Sequence, residues 1–338
     1  MKDTSRLKKR VGWIDYAKGI GIFLVVLGHV LRGLSDSIGL AYLHELQAID
    51  AWIYAFHMPL FFFLSGLLSK GTEAKTVRVF LWDRVRSVLY PYLIWSALVG
   101  GLRAVSGQSG ETLSSFIVNF WRIIYQPADI FWFLYSFFLI STIYFFLRRL
   151  NLAPVQILFG AVLLYGIYLL LPGVFFWHPL AKVAIYSNYF VLGALIGSWV
   201  LNQVSNPNTF LLTGAVCGFA ILATAIYFNI LTSQDPNLVL SSLGITSCVL
   251  LAKLFYQRDW LRFLKDWGYS SLQIYVAHTS AAAFIRIVLQ KVFHIDSPLI
   301  HVVLGTAAGI YLPILLNWLV ERINFRYLFT IPKNKKMA

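Results

Sequence analysis

Long apolar runs, separated by short charged or proline- and glycine-containing segments, recur along the whole 338-residue chain. A membrane-spanning helix needs about 20 consecutive apolar residues. Ten runs meet this requirement to within a few residues: 13–34, 49–69, 87–105, 129–147, 155–172, 181–200, 208–230, 238–255, 270–290 and 298–320. They lack the strict polar–apolar alternation of barrel strands, so the sequence predicts an all-α integral membrane protein, a bundle of about ten transmembrane helices.

The composition agrees with a membrane class. Charged residues make up 12% of the chain and hydrophobic residues 59%, whereas a soluble domain has about 25% and about 45–50%. These values exclude a disordered protein, a coiled coil and a typical water-soluble enzyme. Cys217 and Cys248 lie in apolar runs, and two cysteines cannot form a disulfide framework or a four-cysteine zinc site. Since no metal-ligand pair occurs at helical spacing, we predict no metal.

The positive charges give the bundle an orientation. The net charge is +14, and most lysines and arginines fall in segments that the ten spans place on one side. Because basic loops stay in the cytoplasm, we predict a basic cytoplasmic N-terminus (1–12), a ten-helix domain (13–320) and a basic cytoplasmic tail (321–338). This asymmetry explains the net charge, so nucleic acid is not an expected partner. The expected location is the plasma membrane of a bacterium, with the lipid bilayer around a multi-pass protein.

Three ionisable residues, Asp15, Lys18 and His29, share one face of the first span, because a helix turns 100° per residue. Lys18 and His29 are about 16 Å apart along the axis. Ionisable groups at membrane depth are functional candidates by default, and an imidazole transfers protons near neutral pH. Alternatives stay open: Asp15 and Lys18 could form an ion pair at the membrane interface, and His29 could bond a backbone carbonyl.

Two further polar groups follow in the next two spans. His57 lies two residues before Pro59, and a proline frees a backbone carbonyl one turn earlier in its helix. His57 therefore either bonds that carbonyl or lines a site. Arg84 and Arg86 lie at the entrance of the third span, where guanidinium groups suit an anion such as phosphate. Ordinary positive-inside charge, with Asp83 as partner, is the alternative.

Aromatic and hydroxyl side chains occur in two later spans. Trp132 and Tyr135 open the fourth span, either as aromatics of the membrane interface or as substrate contacts. Ser271, Tyr275 and His278 lie at positions i, i+4 and i+7 of the ninth span. They share a helix face, and this polar stripe must face protein or water rather than lipid.

The longest outer segment, 106–128, contains an apolar piece at 116–125, which predicts an interfacial or re-entrant helix. Four other histidines fall in outer loops or at their margins, where loop or packing roles are expected. These are His44, His178, His294 and His301.

Together these motifs resemble the integral-membrane acyltransferase family 3, and within it the fucose-4-O-acetylase-like branch. The resemblance covers about residues 10–320. The segments that carry it, in family order, are Asp15, Lys18 and Gly28-His29; Phe56 to Pro59 with Ser65-Gly66; Arg84 to Tyr92; Trp132 to Leu134; and Ser271 to His278. Many members have arginine where this chain has Lys18, and lysine keeps the charge but loses the bidentate fork.

The resemblance implies transfer of an acyl group, with acetyl as the expected one, from cytoplasmic acyl-CoA to a hydroxyl of a sugar or cell-surface glycan. It implies that His29 is the general base, and we place Asp15 and Lys18 with it in the catalytic group. Acetyl-CoA is then a co-substrate, and the resemblance implies that Arg84 and Arg86 hold its phosphates. We add two residues to this donor group, Tyr92 and Lys18. The expected acceptor contacts are His57, Trp132, Tyr135, Ser271 and His278.

The main alternative function is a transporter or flippase of a glycolipid or polysaccharide precursor. Intramembrane charges and a proline-broken helix serve transport equally well. However, the polar residues crowd into the first three spans and have no matching set in the second half, which favours an enzyme. A structural or sensory membrane protein gives no reason for the histidines and arginines together.

Overall fold

The computed structural model describes residues 11–38, 41–106, 112–127, 129–202, 206–228 and 236–332. Within these ranges the secondary structure is helical, without a β-strand. The α-helices are α1 (Gly12–Ile38), α2 (Ala41–Leu67), α3 (Lys70–Glu73), α4 (Val77–Arg84), α5 (Tyr90–Ser106), α6 (Leu113–Asn119), α7 (Trp132–Arg149), α8 (Pro154–Leu170), α9 (His178–Asn202), α10 (Asn208–Tyr227), α11 (Leu238–Arg258), α12 (Arg262–Tyr269), α13 (Ser271–Lys291) and α14 (Pro298–Arg322). A π-helical turn, Val85–Leu89, joins α4 to α5.

Among the described residues, eight helical stretches are long and apolar enough to cross a membrane. They lie in α1, α2, the continuous stretch Val77–Val105, α9, α10, α11, α13 and α14. The predicted all-α integral membrane bundle is therefore confirmed. The predicted spans 129–147 and 155–172 correspond to α7 and α8, helices of 18 and 17 residues that are not among these eight. The cytoplasmic position of both termini stays a prediction.

The helices pack most closely where glycines remove side chains from the contact. α2 lies against α9, and a Cβ added to Gly66 would be 1.9 Å from the carbonyl oxygen of Phe190. A Cβ added to Gly193 would be 2.2 Å from the carbonyl oxygen of Phe63. The two backbones thus approach each other too closely for any larger residue, as small residues permit between membrane helices. This contact fixes α2, which carries His57, against the rest of the bundle.

Pro59 lies inside α2 and cannot donate a hydrogen bond to the carbonyl of Ala55 four residues earlier. That carbonyl instead accepts a hydrogen bond from the hydroxyl of Ser241, which comes from α11 and is fully buried. His57 donates from Nδ1 to a different carbonyl, that of Ile53, at 2.7 Å. The interpretation in which His57 satisfies the carbonyl freed by the proline is therefore wrong.

The segment between α5 and α7 contains the apolar piece 116–125 for which an interfacial or re-entrant helix is predicted, and we name it the re-entrant segment after that prediction. Its short helix α6 packs on α5 and continues into a 3₁₀ turn, Phe120–Ile124. Carbonyl groups outside regular α-helices need hydrogen-bond donors from other parts of the protein or from water. Three tyrosine hydroxyls from three helices supply them: Tyr92 donates to Ile123, Tyr135 to Ile124 and Tyr275 to Ile130.

Candidate active site

A cavity of about 910 Å³ lies at one end of the bundle, and α1, α2, α5, α9, α13 and α14 all contribute residues to its wall. This is the end that the positive-inside rule assigns to the outside. Three of the predicted site residues, His29, His57 and Trp132, line the cavity. Its volume lies in the range of about 300–1,000 Å³ that is typical of small-molecule sites.

The imidazole of His29 is held by its own helix. Its Nδ1 approaches the carbonyl oxygen of Val25 at 2.8 Å, and because a carbonyl only accepts, Nδ1 carries the proton. In the neutral ring, Nε2 therefore has the lone pair. The expected alternative, a bond from His29 to a backbone carbonyl, is thus present, and the same bond selects the tautomer that a general base requires.

Two more histidines have the same tautomer for the same reason. His57, which is 1% exposed, donates from Nδ1 to the carbonyl of Ile53 at 2.7 Å. His278 is fully buried and donates from Nδ1 to the carbonyl of Tyr275, also at 2.7 Å. Its Nε2 has no hydrogen-bond partner among the described residues. Three imidazoles whose Nδ1 atoms donate to backbone carbonyls are therefore collected from α1, α2 and α13.

The rings of these residues contact one another. The ring centroids of His29 and His278 are 5.0 Å apart in an edge-on arrangement. The ring of Tyr54 contacts both His29 and His57, with centroid distances of 6.2 Å and 4.7 Å respectively. In the described part of the chain, no group of three histidine, cysteine or carboxylate side chains is arranged to hold a metal ion. Imidazole rings of this kind can transfer protons and make aromatic contacts.

Other predicted site residues lie away from the cavity. Asp15 is 4% exposed and lies on the first turn of α1, where the backbone of Gly268 packs against its carbonyl. Lys18 is eleven positions before His29 on the same helix, about 16 Å away along the axis. Ser271 begins α13, about 10 Å along the axis from His278. The structure therefore separates these three residues from the imidazole cluster.

Tyr92 and Tyr135, predicted for the donor and the acceptor respectively, form a pair. Their ring centroids are 5.5 Å apart. As described above, each hydroxyl donates to a carbonyl of the re-entrant segment. Both tyrosines thus bind the backbone of that segment, and neither is among the residues that line the cavity.

The two predicted donor arginines have different surroundings. The guanidinium of Arg84 lies over the ring of Phe80 at 5.2 Å and over that of Phe137 at 5.1 Å. Arg86 approaches Asp83 at 3.4 Å, and its backbone carbonyl accepts a hydrogen bond from Thr330. Arg86 is the second residue of the π-helical turn. Turns of this kind are rare and often mark functional sites. The described contacts do not bring the two guanidinium groups onto one partner.

A chain of rings runs from Arg84 to His29. Phe137 stacks on Phe133 with a centroid distance of 6.1 Å, and Phe133 meets Tyr275 edge-on at 5.3 Å. Tyr275 is 6.2 Å from His278, which in turn contacts His29. The end of the bundle with the π-helical turn is therefore connected to the imidazole cluster by aromatic side chains of α7 and α13.

The sequence interpretation did not include several residues of the cavity wall. Tyr54, His178 and His301 line it, as do four cations from four helices. These cations are Arg32, Arg103, Lys182 and Arg286. Their position in the sequence could have identified these four cations as unusual, since lysine and arginine are scarce at the outer ends of membrane helices. His178 is the first residue of α9 and His301 lies in the first turn of α14, so both lie at the margins of the predicted loops.

Comparison with known proteins gives a family and two distant relatives. The family model described as "Acyltransferase domain" matches residues 11–318. The nodulation protein NolL of Sinorhizobium fredii is 33% identical over 128 residues, which are 36% of this chain and 32% of that protein. NolL of Mesorhizobium japonicum is 30% identical over 134 residues, 37% of this chain and 32% of that protein. The aligned part thus spans about a third of each relative's length. No solved structure matches the chain.

Proposed function

The chain belongs to the acyltransferase domain family, as a multi-pass membrane acyltransferase, and we propose that it moves an acyl group, with acetyl as the expected one, from acyl-CoA to a hydroxyl of a sugar or cell-surface glycan. Within the family we assign it to the fucose-4-O-acetylase-like branch, and we place it in the bacterial plasma membrane. The observation that carries the proposal is His29: its Nδ1 is bound to the Val25 carbonyl, and its ring lines the 910 Å³ cavity.

His29 acts as the general base in direct transfer. The acceptor hydroxyl oxygen attacks the thioester carbonyl carbon while its proton passes to Nε2 of His29. The carbon–sulfur bond then breaks, and His29 returns the proton to the departing CoA sulfur. The products are the ester and CoA thiol. A positioned base of this kind contributes about 10²–10⁴-fold in rate.

His278 assists as a positioning residue. Its neutral ring meets His29 edge-on at 5.0 Å, and the lone pair on its Nε2 lies in the buried cluster. Protonation of His29 places a charge in a site of low dielectric, and a neighbouring lone pair stabilises that charge. We expect His278→Asn to lower kcat while leaving the KM for acetyl-CoA within about twofold, since a raised KM would indicate that the variant damages donor binding.

The donor enters from the cytoplasmic end, where Arg84 and Arg86 hold the phosphates of acyl-CoA. Arg84 is the stronger of the two assignments, because the chain of rings from Phe137 to His278 starts at its side chain. The pantetheine arm follows these rings toward His29. Lys18 adds positive charge on the face of α1 below His29. The acceptor occupies the cavity, where His57 and Trp132 line the wall.

Binding of acetyl-CoA separates this enzyme from the transporter alternative. Purified protein in nanodiscs is titrated with labelled acetyl-CoA, and release of CoA thiol is followed in the presence of cell-envelope extract as a source of acceptors. Saturable binding with thiol release supports the enzyme. Absence of saturable binding by correctly folded protein would contradict the proposal.

A further inference from the structure

The chain turns back sharply at the end of α14. That helix ends at Arg322, and Asn324 has a positive φ of 56°. The amide of Asn324 donates to the carbonyl of Glu321 at 3.2 Å, and the amide of Phe325 donates to the carbonyl of Val320 at 2.8 Å. This pair of bonds is the Schellman motif, which ends a helix with a left-handed residue. Asparagine tolerates that conformation, so the sequence at this point specifies the turn.

Residues 326–331 follow the turn and pack on α5, and we name them the C-terminal clamp. The hydroxyl of Tyr90 donates to the carbonyl of Tyr327 at 2.6 Å. The indole of Trp95 donates to the next carbonyl along the clamp at 3.0 Å. The ring of Phe329 is 3% exposed and stacks on the same indole at a centroid distance of 5.4 Å. Polar bonds and a buried aromatic contact therefore fix the clamp to α5.

A further contact of the clamp meets the π-helical turn at a carbonyl to which the helix cannot supply the usual donor. In an α-helix the carbonyl of Arg86 would accept from the amide of Tyr90, but that amide donates to the carbonyl of Val85. In π-helical bonding the donor would be the amide five residues later, and this residue is Pro91, which has no N–H. The hydroxyl of Thr330 donates to the Arg86 carbonyl at 3.2 Å, nearer than the next residue's carbonyl at 3.5 Å. The clamp thus supplies the bond that the π-helical turn and the proline remove.

The side chain of Arg86 projects from this same turn. It is 14% exposed, and its Nη2 approaches Asp83 at 3.4 Å. Its buried Nε has no hydrogen-bond partner among the described residues, although a guanidinium offers five N–H donors. Arginine is well suited to bind phosphate with two parallel bonds. The position of the turn therefore determines where these donors meet an anion.

We propose that the C-terminal clamp positions Arg86 for the phosphates of acyl-CoA, with Thr330 as the positioning residue through which it acts. This inference rests on the proposed function for the role of Arg86 in donor binding. The clamp lies beyond residues 11–318, which the family model matches. Loss of the Thr330 hydroxyl leaves the Arg86 carbonyl without this donor, so the turn relaxes toward other helical bonding. The guanidinium is then displaced, although its charge is kept.

The test compares the kinetics of full-length variants in nanodiscs, with acetyl-CoA as the varied substrate and cell-envelope extract as the source of acceptors. Thr330→Val removes the hydroxyl at nearly constant shape, Thr330→Ser keeps it, and Tyr90→Phe removes another bond of the clamp. Thr246→Val is the matched control, because the hydroxyl of Thr246 also donates to a backbone carbonyl, at 2.8 Å, but within α11. Hydrogen exchange of the peptide 84–92 in the same proteins reports how firmly the π-helical turn is held.

We expect Thr330→Val to raise the KM for acetyl-CoA about threefold to tenfold, which corresponds to the loss of one hydrogen bond. Its kcat should stay within about twofold of the wild-type value, because the base is untouched. Tyr90→Phe should also raise the KM, whereas Thr330→Ser and Thr246→Val should keep the wild-type KM. Exchange in the peptide 84–92 should be faster in Thr330→Val and unchanged in Thr246→Val.

Three results would overturn the proposal. Faster exchange with an unchanged KM in Thr330→Val would show that the clamp supports the fold alone. Unchanged exchange would show that the clamp does not hold the turn, and a lower kcat without a raised KM would place its effect outside donor binding. If the wild-type protein does not bind acetyl-CoA, the proposed function fails and the donor part of this inference with it. Faster exchange in Thr330→Val would then still show that the clamp holds the turn.

Discussion

Removal of the Ser241 hydroxyl should destabilise the protein only while Pro59 is present. In the wild type, Pro59 cannot donate to the carbonyl of Ala55, and the Ser241 hydroxyl donates to it instead. Ser241→Ala leaves that buried carbonyl without a donor, which costs about 1–3 kcal/mol. In a Pro59→Ala background the backbone N–H at position 59 returns and donates to the carbonyl, so the same Ser241→Ala change should cost less than about 0.5 kcal/mol.

The assay is equilibrium unfolding in mixed micelles, where dodecyl sulfate is titrated into a mild detergent and the free energies of unfolding form a double-mutant cycle. The coupling energy between positions 59 and 241 should be about 1–2 kcal/mol. Ser247→Ala is the control, because this buried serine of the same helix donates to the carbonyl of Leu243 in its own helix at 2.9 Å. Its cost should not depend on residue 59. An equal cost of Ser241→Ala in both backgrounds would refute the reasoning.

Three further predictions concern the donor, the packing and the re-entrant segment. Arg84→Gln should raise the KM for acetyl-CoA about tenfold or more. The control is Arg149→Gln, which should leave the KM unchanged although Arg149 also lies 5.2 Å over a phenylalanine ring. Steady-state kinetics measures both values, and equal KM values would exclude Arg84 from the donor site. Gly193→Ala should lower the free energy of unfolding by about 1–3 kcal/mol or more, because the added methyl group overpacks the contact. Gly160 has open space around it, so Gly160→Ala should be neutral or slightly stabilising. Similar free energies of unfolding for the two variants would contradict the close contact of α2 and α9. Tyr92→Phe should cost about 1–3 kcal/mol through the carbonyl it leaves unsatisfied, with an unchanged KM for acetyl-CoA; a raised KM at full stability would instead place Tyr92 in the donor site.

The helices, and the contacts that a side chain makes within its own helix, could be predicted from the sequence. Continuous apolar runs predict the helices of a membrane protein because each span must satisfy its own backbone hydrogen bonds. The same local rule explains His29 and His57: in a helix, a histidine ring reaches the carbonyl four residues earlier, and both Nδ1 atoms do so. His29, which the sequence selects for its place in the first span, lines the cavity, and its catalytic role stays a prediction.

Contacts between distant parts of the chain could not be predicted in this way. Ser241 satisfies Ala55 across 186 positions, and no local pattern indicates which helix brings the donor. Tyr92 is predicted for the donor group, and nothing in the sequence near it indicates that its hydroxyl donates to the carbonyl of Ile123, 31 positions later. Such contacts could not be predicted because sequence proximity does not determine which helices are neighbours in the bundle.

The sequence analysis assigns no role to the cations of the cavity. Lys182 and Arg286 are 104 positions apart in the sequence, and only the folded bundle shows that both line the cavity with His29. Similarly, Arg84 and Arg86 are two positions apart and project about 200° from each other on an ideal helix. Charges that are close in the sequence can thus project in different directions, whereas distant ones can line one cavity.

Transfer of labelled acetyl groups by His29→Asn protein tests the central claim most directly. Wild-type, His29→Asn and His294→Asn proteins are purified at matched levels and given labelled acetyl-CoA with cell-envelope acceptors. His294 is an exposed histidine with a positive φ of 51°, a conformation that asparagine tolerates, which makes it a fair control. We expect His29→Asn to lose at least about 100-fold in transfer rate while still binding acetyl-CoA, and His294→Asn to retain the wild-type rate. Transfer by His29→Asn at a rate near that of the wild type would contradict the account.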